Sequence, residues 1–268
     1  MKRLKLKEIH ELPWCPEAVR NSLTEFLSCV WKCGCYAMAE DKMTEILQKC
    51  NKDLVVDLCS GCGTYMEGFI KNINDKMPGK TIRAYKTDLY PDSNQVGRDT
   101  PFVSYWPESV SMQSAFSKFD ALFTMFSALH HFDEDELEKL FESAASKKVV
   151  FSFFDISQRR WLTDILPNIF LPFVMWCVSI FIKPFSWKRL FWVYIIPIAP
   201  VVVLIDGTIS RMRAYKLEEV RSIYKKVEDK YPNYLFESGC FSILGGIQKI
   251  TWVVGMPRKP EEKEAQNH

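Results

Sequence analysis

The chain has 268 residues, with 35 Lys or Arg against 33 Asp or Glu, for a formal net charge of +2. This length is enough for one large core, and the balanced charge argues against a broad electrostatic surface for nucleic acid, so we expect no nucleic-acid partner. The nine cysteines are odd in number and lack the regular spacing of a secreted disulfide scaffold, which favours reduced thiols in a cytosolic setting.

Two helices are predicted before the first strand. The first begins near Pro16 and carries apolar residues at helical spacing to Val30, and the second reaches Leu47. The segment Cys33-Gly34-Cys35 interrupts the pattern between them. These cysteines have no histidine nearby, so we interpret them as small buried hydrophobic side chains and expect no metal site.

A buried strand, a tight turn and a helix are predicted next. The stretch Val55-Val56-Asp57-Leu58-Cys59-Ser60-Gly61-Cys62-Gly63 opens into the helix-compatible residues 64–70. Its glycines let the backbone approach a ligand closely, and the following helix offers free N–H groups, so the turn predicts a nucleotide-like ligand. Cys59 and Cys62 have no second Cys or His pair at metal spacing, which disfavours a metal site here.

A second strand is predicted to end at Asp88, 25 positions after Gly63. In a βαβ unit this is where a carboxylate accepts the ribose hydroxyls of a bound nucleoside. The turn and the acid together favour a nucleoside site at this edge of the sheet.

Three more strands are expected in the middle of the chain: residues 102–105, 120–126 and 148–155. His130 and His131 follow the second of these, and the ligand crevice of an open α/β sheet lies outside the carboxyl ends of its strands. Either histidine could act as a general base on a phenol, hydroxyl or amine, or orient it. The alternative is that one histidine packs as a satisfied polar core residue and the other fixes the loop. Asp133 is expected to cap the helix that follows.

Residues 161–205 form an apolar insertion. Its two uncharged runs, 165–182 and 190–205, have 18 and 16 residues, each with two prolines. As helices they would be about 27 and 24 Å long, short of a hydrocarbon core of roughly 30 Å. A spanning hairpin would also place the basic loop 183–189 on the far side of the bilayer, whereas basic loops tend to stay on the cytoplasmic side.

We therefore expect a shallow or re-entrant hairpin that holds the protein on a membrane, with the rest of the chain on the cytoplasmic side. Four tryptophans suit an interfacial position: Trp161, Trp176, Trp187 and Trp192. The alternative is a buried helical cap in a soluble protein.

An amphipathic helix over 215–230 and strands near 235–241 and 250–256 complete a sheet of about seven strands. The sequence thus predicts an α/β, Rossmann-like domain over 51–256 with helices on both faces, interrupted by the insertion. The charged tail 257–268 is expected to be disordered.

These motifs together resemble the class I S-adenosylmethionine-dependent methyltransferases, and more narrowly a little-characterised branch of them. The resemblance runs from about Ile9 to Met256 and is carried by four segments: 57–61, 87–91, 126–132 and 206–215. The family has a glycine where this chain has Cys59.

The resemblance implies S-adenosylmethionine as the cofactor. The residues it implies as cofactor contacts are Asp57, Cys59, Gly61, Gly63, Asp88, Leu89, Ser111 and Met112. Family members usually carry an acid that accepts a hydrogen bond from the adenine amino group, and Ser111 stands there with a weaker acceptor. The resemblance also implies that the N-terminal helices, residues 1–50, form a cap over the cofactor end, although a plain helical flank is an alternative.

On the acceptor side the resemblance implies a pocket roofed by the insertion, and therefore a small lipophilic acceptor such as a lipid or quinone. The catalytic candidates are His130 and His131. The motif after the insertion could bind a substrate head group, or could form ion pairs that anchor the insertion: Asp206, Arg211, Arg213 and Tyr215.

Two other functions stay open. One is a membrane-anchored binding partner that keeps the sheet without transferase activity. An aminopropyl transferase on the same fold fits less well, because the chain lacks the acidic pocket that a polyamine requires.

Overall fold

The computed structural model describes residues 3–61, 65–91, 95–155, 159–183, 185–243 and 248–258. Gly63, one of the implied cofactor contacts, lies outside the described residues, as does the tail from residue 259 onwards.

The described residues form one seven-stranded sheet with the order β3-β2-β1-β4-β5-β7-β6. The strands are β1 (Leu54–Leu58), β2 (Arg83–Lys86), β3 (Val103–Tyr105), β4 (Leu122–Phe126), β5 (Val150–Asp155), β6 (Tyr234–Ile243) and β7 (Gln248–Pro257). β1 to β5 pair in parallel, whereas β7 runs antiparallel to β5 and β6. The strand order reverses between β1 and β4, and such switch points are where α/β sheets bind ligands. The predicted Rossmann-like fold is confirmed.

Helices precede β1, follow β1, β3 and β4 singly, and form a run of four between β5 and β6. They are α1 (Glu17–Val30), α2 (Ala37–Cys50), α3 (Met66–Lys76), α4 (Met112–Lys118), α5 (Glu134–Ser146), α6 (Leu171–Val178), α7 (Trp187–Leu190), α8 (Ile198–Arg213) and α9 (Leu217–Lys230). Two predicted helix boundaries are present. Gly34, with a φ of +87°, separates α1 from α2, and Asp133 caps the start of α5 in a capping box with Glu136.

Successive strand residues point to opposite faces, so each face of the sheet has its own core. α2 and α3 cover one face, where Met43 and Ile70 share a core with Val55 and Phe154. α4, α5 and α9 cover the other face, whose core includes Phe116, Phe123, Leu140, Phe151 and Ile223. Helices on both faces were predicted, and the hydrophobic runs of β1, β4 and β5 follow from this double coverage.

α1 and the insertion form a third core beside the sheet. Its buried side chains include Val19, Leu23, Phe26, Met175, Val202 and Val203. The predicted N-terminal cap therefore divides in two, because α2 packs on the sheet while α1 packs on the insertion.

The tip of the insertion folds back onto α1. Arg189 is 1% exposed and donates to the carbonyls of Ser179 at 3.1 Å and Ile182 at 2.6 Å. It also pairs with Glu25 of α1. Arg189 belongs to the basic loop of the sequence prediction, yet it is buried, because its guanidinium satisfies carbonyls left open just after α6.

Strand β7 extends further in both directions than the predicted strand over 250–256. Pro257 pairs with Tyr234 in the β6–β7 ladder, so the predicted disordered tail does not begin at residue 257. The part of the tail that follows residue 258 remains a prediction.

Candidate functional site

The turn after β1 has an unusual backbone. Cys59 has a φ of +54° and Gly61 a φ of +52°, both in the left-handed region. A β-carbon is crowded by the backbone in this region, so glycine is favoured there. Cys59 therefore occupies, under strain, the position at which the resembled family carries its first glycine. The sequence departs from the family pattern here, and the backbone of Cys59 is left-handed all the same.

Asp57 supports the turn from behind. It is fully buried, and its Oδ2 accepts hydrogen bonds from the Ser60 hydroxyl and from the Tyr65 hydroxyl at 3.0 Å. Burial raises the pKa of Asp57 to about 7, against the lowering effect of these two hydroxyls. The structure gives Asp57 the role of holding the turn, since its carboxylate lies inside the protein.

Asp88 is brought against the turn, as the spacing predicts. One carboxylate oxygen accepts the N–H of Gly61 at 3.0 Å, and the other accepts the N–H of Tyr90 at 2.9 Å. Asp88 is half-buried and retains lone pairs that face away from these two donors. The turn after β1 and the acid after β2 thus form one cluster.

The segment before α4 closes this cluster on a second side. The N–H of Val110 donates to the carbonyl of Asp88 at 3.0 Å, and the Ser109 hydroxyl donates to the carbonyl of Leu89 at 2.7 Å. Ser111 and Met112 follow at once, so these two implied contacts lie beside Asp88 and Leu89.

The Ser111 hydroxyl already has a structural role. It caps α4 by accepting the N–H of Ser114 at 3.2 Å, and it donates to the Ser114 hydroxyl at 3.0 Å. A hydroxyl used in this way has less capacity to accept from an adenine amino group.

His130 lies at the end of β4, held by an acid at the end of β5. Its Nδ1 is 3.0 Å from both carboxylate oxygens of Asp155, and its backbone N–H donates to Asp155 at 2.9 Å. Burial would lower the pKa of His130, but the carboxylates of Asp155 and Glu8 outweigh it and raise the pKa to about 10.

His131 is more open, with 29% of its side chain exposed against 7% for His130. Its Nδ1 is 2.5 Å from Oε1 of Glu11. Burial and the neighbouring His130 lower the pKa of His131 below its ordinary value. The two adjacent histidines thus have opposite electrostatic surroundings.

The four residues of the motif after the insertion all contact other parts of the chain. Asp206 accepts the N–H groups of Ile9 at 2.6 Å and His10 at 3.1 Å. Arg213 donates to Glu11 at 2.8 Å and to the carbonyls of both histidines after β4.

Tyr215 donates to the carbonyl of Phe132 at 2.9 Å, and Arg211 lies 3.5 Å from the Gln248 side chain. These contacts support the anchoring alternative and show what is anchored: the N-terminal segment and the loop after β4.

The N-terminal segment contributes residues that the sequence analysis did not select. Glu8, His10 and Glu11 meet His130 and His131, so three of the four histidines of the chain come together. The available signal was three titratable residues within four positions. Without the fold, nothing connected them to residues 120 positions away.

The insertion exposes an apolar surface, which we call the outer face: the exposed large hydrophobic side chains of residues 161–205. Of 24 such side chains in the described part of the chain, 18 lie here. Along the first half they recur at helical spacing, at Leu162, Leu166, Ile169, Phe173, Trp176 and Ile180. The buried residues between them include the polar Asp164, Asn168 and Ser179. A surface helix usually buries its apolar side chains and exposes its polar ones, and here the arrangement is the opposite.

One helix of the insertion is long and apolar enough to cross a membrane: Trp161–Val178, with mean hydropathy 1.4 and 22% of the window buried. A second candidate consists of Trp187–Ile195 and Ile198–Arg213, bent by 81° at the break. Pro197 lies at this break, which agrees with the predicted effect of proline. One or two such helices are weak evidence of a span, since core helices of soluble proteins pass the same test.

A cavity of about 1170 Å³ lies beside the turn. It is bounded by α1, the start of α3 and the insertion tip, and its lining includes Trp31, Tyr65, Phe69 and Lys188. The described residues that line it include none of the implied cofactor contacts.

No protein-family model matches the sequence, and neither does any curated protein. Among solved structures, the methyltransferase domain of bacterial CtHen1 is 14% identical with a TM-score of 0.46, over 82% of this chain and 97% of that one. The plantazolicin methyltransferase BpumL, in complex with a monoazolic desmethylPZN analog and SAH, is 9% identical with a TM-score of 0.46, over 90% and 88%. An O-methyltransferase family protein from Burkholderia thailandensis is 13% identical with a TM-score of 0.42, over 84% and 58%.

The fold is of the Rossmann-like methyltransferase type. This assignment rests on the strand order, the antiparallel final pair and the turn after β1. The TM-scores, all below 0.5, add nothing about the ligand or the reaction.

Proposed function

We propose that this protein is an S-adenosylmethionine-dependent methyltransferase that acts on a small lipophilic acceptor at a membrane surface. The observation that carries the proposal is the cluster at the switch point of the sheet. There the left-handed turn after β1 meets the Asp88 carboxylate through the Gly61 N–H at 3.0 Å. A nucleoside bound at this cluster would place its ribose against Asp88 and the rest of the cofactor against the turn.

The acceptor belongs on the other side of the same switch point. His130 and His131 follow β4, which is the direct neighbour of β1 in the sheet. The methyl group of the cofactor is already activated by its sulfonium, so alignment of acceptor, methyl carbon and sulfur supplies most of the rate. The residues after β4 and β5 need only hold the acceptor in line.

The lipophilic nature of the acceptor is inferred from the outer face. Exposed apolar surface on this scale is typical of a membrane or protein contact. Trp161, Trp176 and Trp187 are 57%, 52% and 77% exposed, and exposed tryptophans suit the lipid headgroup region. Trp192 is half-buried and packs against the third core.

The contacts at the tip of residues 161–205 favour a shallow position at the membrane surface over penetration into the hydrocarbon core. The buried Arg189 and the partly exposed Glu25 form an ion pair between the tip and α1, and carrying this pair into hydrocarbon would be costly. Lys183 and Lys188 are exposed near the tip and would meet anionic headgroups on the cytoplasmic leaflet.

The proposal is tested with the full-length protein in vesicles of phosphatidylcholine and phosphatidylglycerol. S-adenosylmethionine with a labelled methyl group is added together with a lipid extract. We expect label in an organic-soluble small molecule, and roughly 10- to 150-fold slower labelling at subsaturating cofactor when Asp88 is replaced by Ala. Label in added peptide would refute the lipophilic acceptor. Binding of cofactor without transfer to any extract would favour the non-catalytic binding partner.

A further inference from the structure

One carboxylate oxygen beside the two histidines is buried and has only long contacts with charged groups. Glu8 is 3% exposed, and its Oε1 has no hydrogen-bond partner among the described residues. This oxygen lies 3.5 Å from Nε2 of His130 and 3.7 Å from a guanidinium nitrogen of Arg213. A buried carboxylate oxygen without a hydrogen bond is costly, so a ligand for it is worth seeking.

We propose that Glu8, His130 and His131 bind a divalent transition-metal ion. Each of the three offers one ligand atom, and these atoms lie within 4.8 Å of one another. Tetrahedral bonds of about 2.0–2.1 Å separate two ligand atoms by roughly 3.4 Å. The distance of 3.5 Å between Glu8 Oε1 and His130 Nε2 is close to this edge.

The histidines are oriented as metal ligands usually are. A metal-bound histidine generally donates its other ring N–H to a carboxylate, which fixes the tautomer and the ring orientation. Nδ1 of His130 lies 3.0 Å from Asp155, and this leaves Nε2 directed toward Glu8. Nδ1 of His131 has the corresponding partner in Glu11.

The position of Glu8 is fixed by its neighbours. Asp206 binds the N–H groups of Ile9 and His10, and His10 Nδ1 lies 3.0 Å from Asp206 and 3.4 Å from Glu8 Oε2. Glu8, His10 and Asp206 form a second group of possible ligand atoms. Asp206 is already engaged by backbone donors, so we assign this group to support rather than to ligation.

The ligand set indicates which ions fit. Two imidazoles and one carboxylate suit Zn²⁺, Fe²⁺ or Mn²⁺, whereas Mg²⁺ prefers oxygen ligands alone. Arg213 and Arg3 place positive charges nearby. Arg213 is held by Glu11 and two carbonyls, and Arg3 by the carbonyls of Arg213, His130 and Phe132. The carboxylates of Glu11, Asp155 and Asp206 surround the site and offset those charges.

This site goes beyond the proposed function. A bound ion would make His130 and His131 ligands rather than a free base, and it would lie on the acceptor side of the switch point. A metal there could bind an acceptor oxygen directly.

The test uses full-length protein in detergent, stripped with a chelator and dialysed. Zn²⁺, Mn²⁺ and Mg²⁺ are titrated separately by calorimetry, and Co²⁺ is followed by visible absorption. We expect one equivalent of Zn²⁺ or Mn²⁺ to bind far more tightly than Mg²⁺. The Co²⁺ spectrum should lack a thiolate band, which separates this site from the nine cysteines.

Three substitutions and one control locate the ion. Glu8→Gln should weaken binding at least tenfold, and Asp155→Asn by roughly 10- to 100-fold because it supports a ligand. Glu17→Gln, at an exposed position on α1, should bind as wild type does. His131→Gln provides a second ligand variant if Glu8→Gln does not fold. Failure of wild type to bind either metal, or unchanged affinity in the ligand variants, would overturn the proposal and leave an ion-pair network.

Discussion

Replacing two phenylalanines of the outer face by alanine should detach the protein from vesicles without unfolding it. Phe170 and Phe173 are 64% and 63% exposed, so about two-thirds of each ring is free to enter a bilayer. Complete burial of such a side chain contributes roughly 1.5–3 kcal/mol, so the two rings together supply about 2–4 kcal/mol of membrane affinity. The double variant should therefore partition into vesicles roughly 30- to 1000-fold more weakly.

The assay is flotation of full-length protein with phosphatidylcholine and phosphatidylglycerol vesicles over a range of lipid concentrations. Met38→Ala is the matched control, since Met38 is also exposed at 43% but lies on α2, outside the insertion. The melting temperature of the double variant should stay close to wild type because neither ring is buried. Equal flotation of wild type and the double variant would refute the assignment of the outer face to membranes.

Three further predictions concern the interior. Asp88→Ala should weaken binding of S-adenosylhomocysteine by roughly 10- to 150-fold, through loss of charged hydrogen bonds of about 1.5–3 kcal/mol. Replacing the exposed Asp75 by Ala should leave this affinity unchanged. Calorimetric titration of both variants measures the difference. The pKa of Asp57 is raised to about 7, so its bound proton stabilises the fold at low pH. Wild type should lose stability relative to Asp57→Asn as pH rises from about 4 to 7, measured by denaturant unfolding. Arg189→Ala should cost about 3 kcal/mol, the lower end for a buried pair, since the partner Glu25 is 30% exposed.

Each of these has a clear contrary outcome. Equal affinity of the two aspartate variants for S-adenosylhomocysteine would remove Asp88 from the cofactor site. A pH-independent stability difference for Asp57→Asn would mean that the carboxylate is not protonated in the folded protein. A loss below 1 kcal/mol for Arg189→Ala would show that the insertion tip is not held by its ion pair.

Local patterns in the sequence were enough to predict the sheet and the turn. The strands β1, β4 and β5 are short, largely apolar runs, and the turn after β1 carries its own signal in glycine and acid spacing. Gly61 and Asp88 are separated by a single βα unit, so their contact follows from the fold class alone. Asp133 likewise predicts the start of α5 from adjacent residues.

The rest depended on long-range contacts that no local pattern contains. Asp206 and Arg213 carry charges that suit a substrate, but the structure pairs them with the segment around Glu8 and Glu11. Arg189 lies in a basic stretch of the sequence, but contacts with the Ser179 and Ile182 carbonyls and with Glu25 of α1 bury it. The site at Glu8 escaped prediction for the same reason, since its ligands are over 120 positions apart in the sequence.

The central claim is that the turn after β1 and Asp88 bind S-adenosylmethionine. Calorimetric titration of full-length wild-type protein with S-adenosylhomocysteine tests it without any knowledge of the acceptor. We expect one equivalent to bind with a Kd between about 1 µM and 1 mM, the usual range for an enzyme and its substrate. Absence of binding at millimolar ligand, with the protein folded, would contradict the claim.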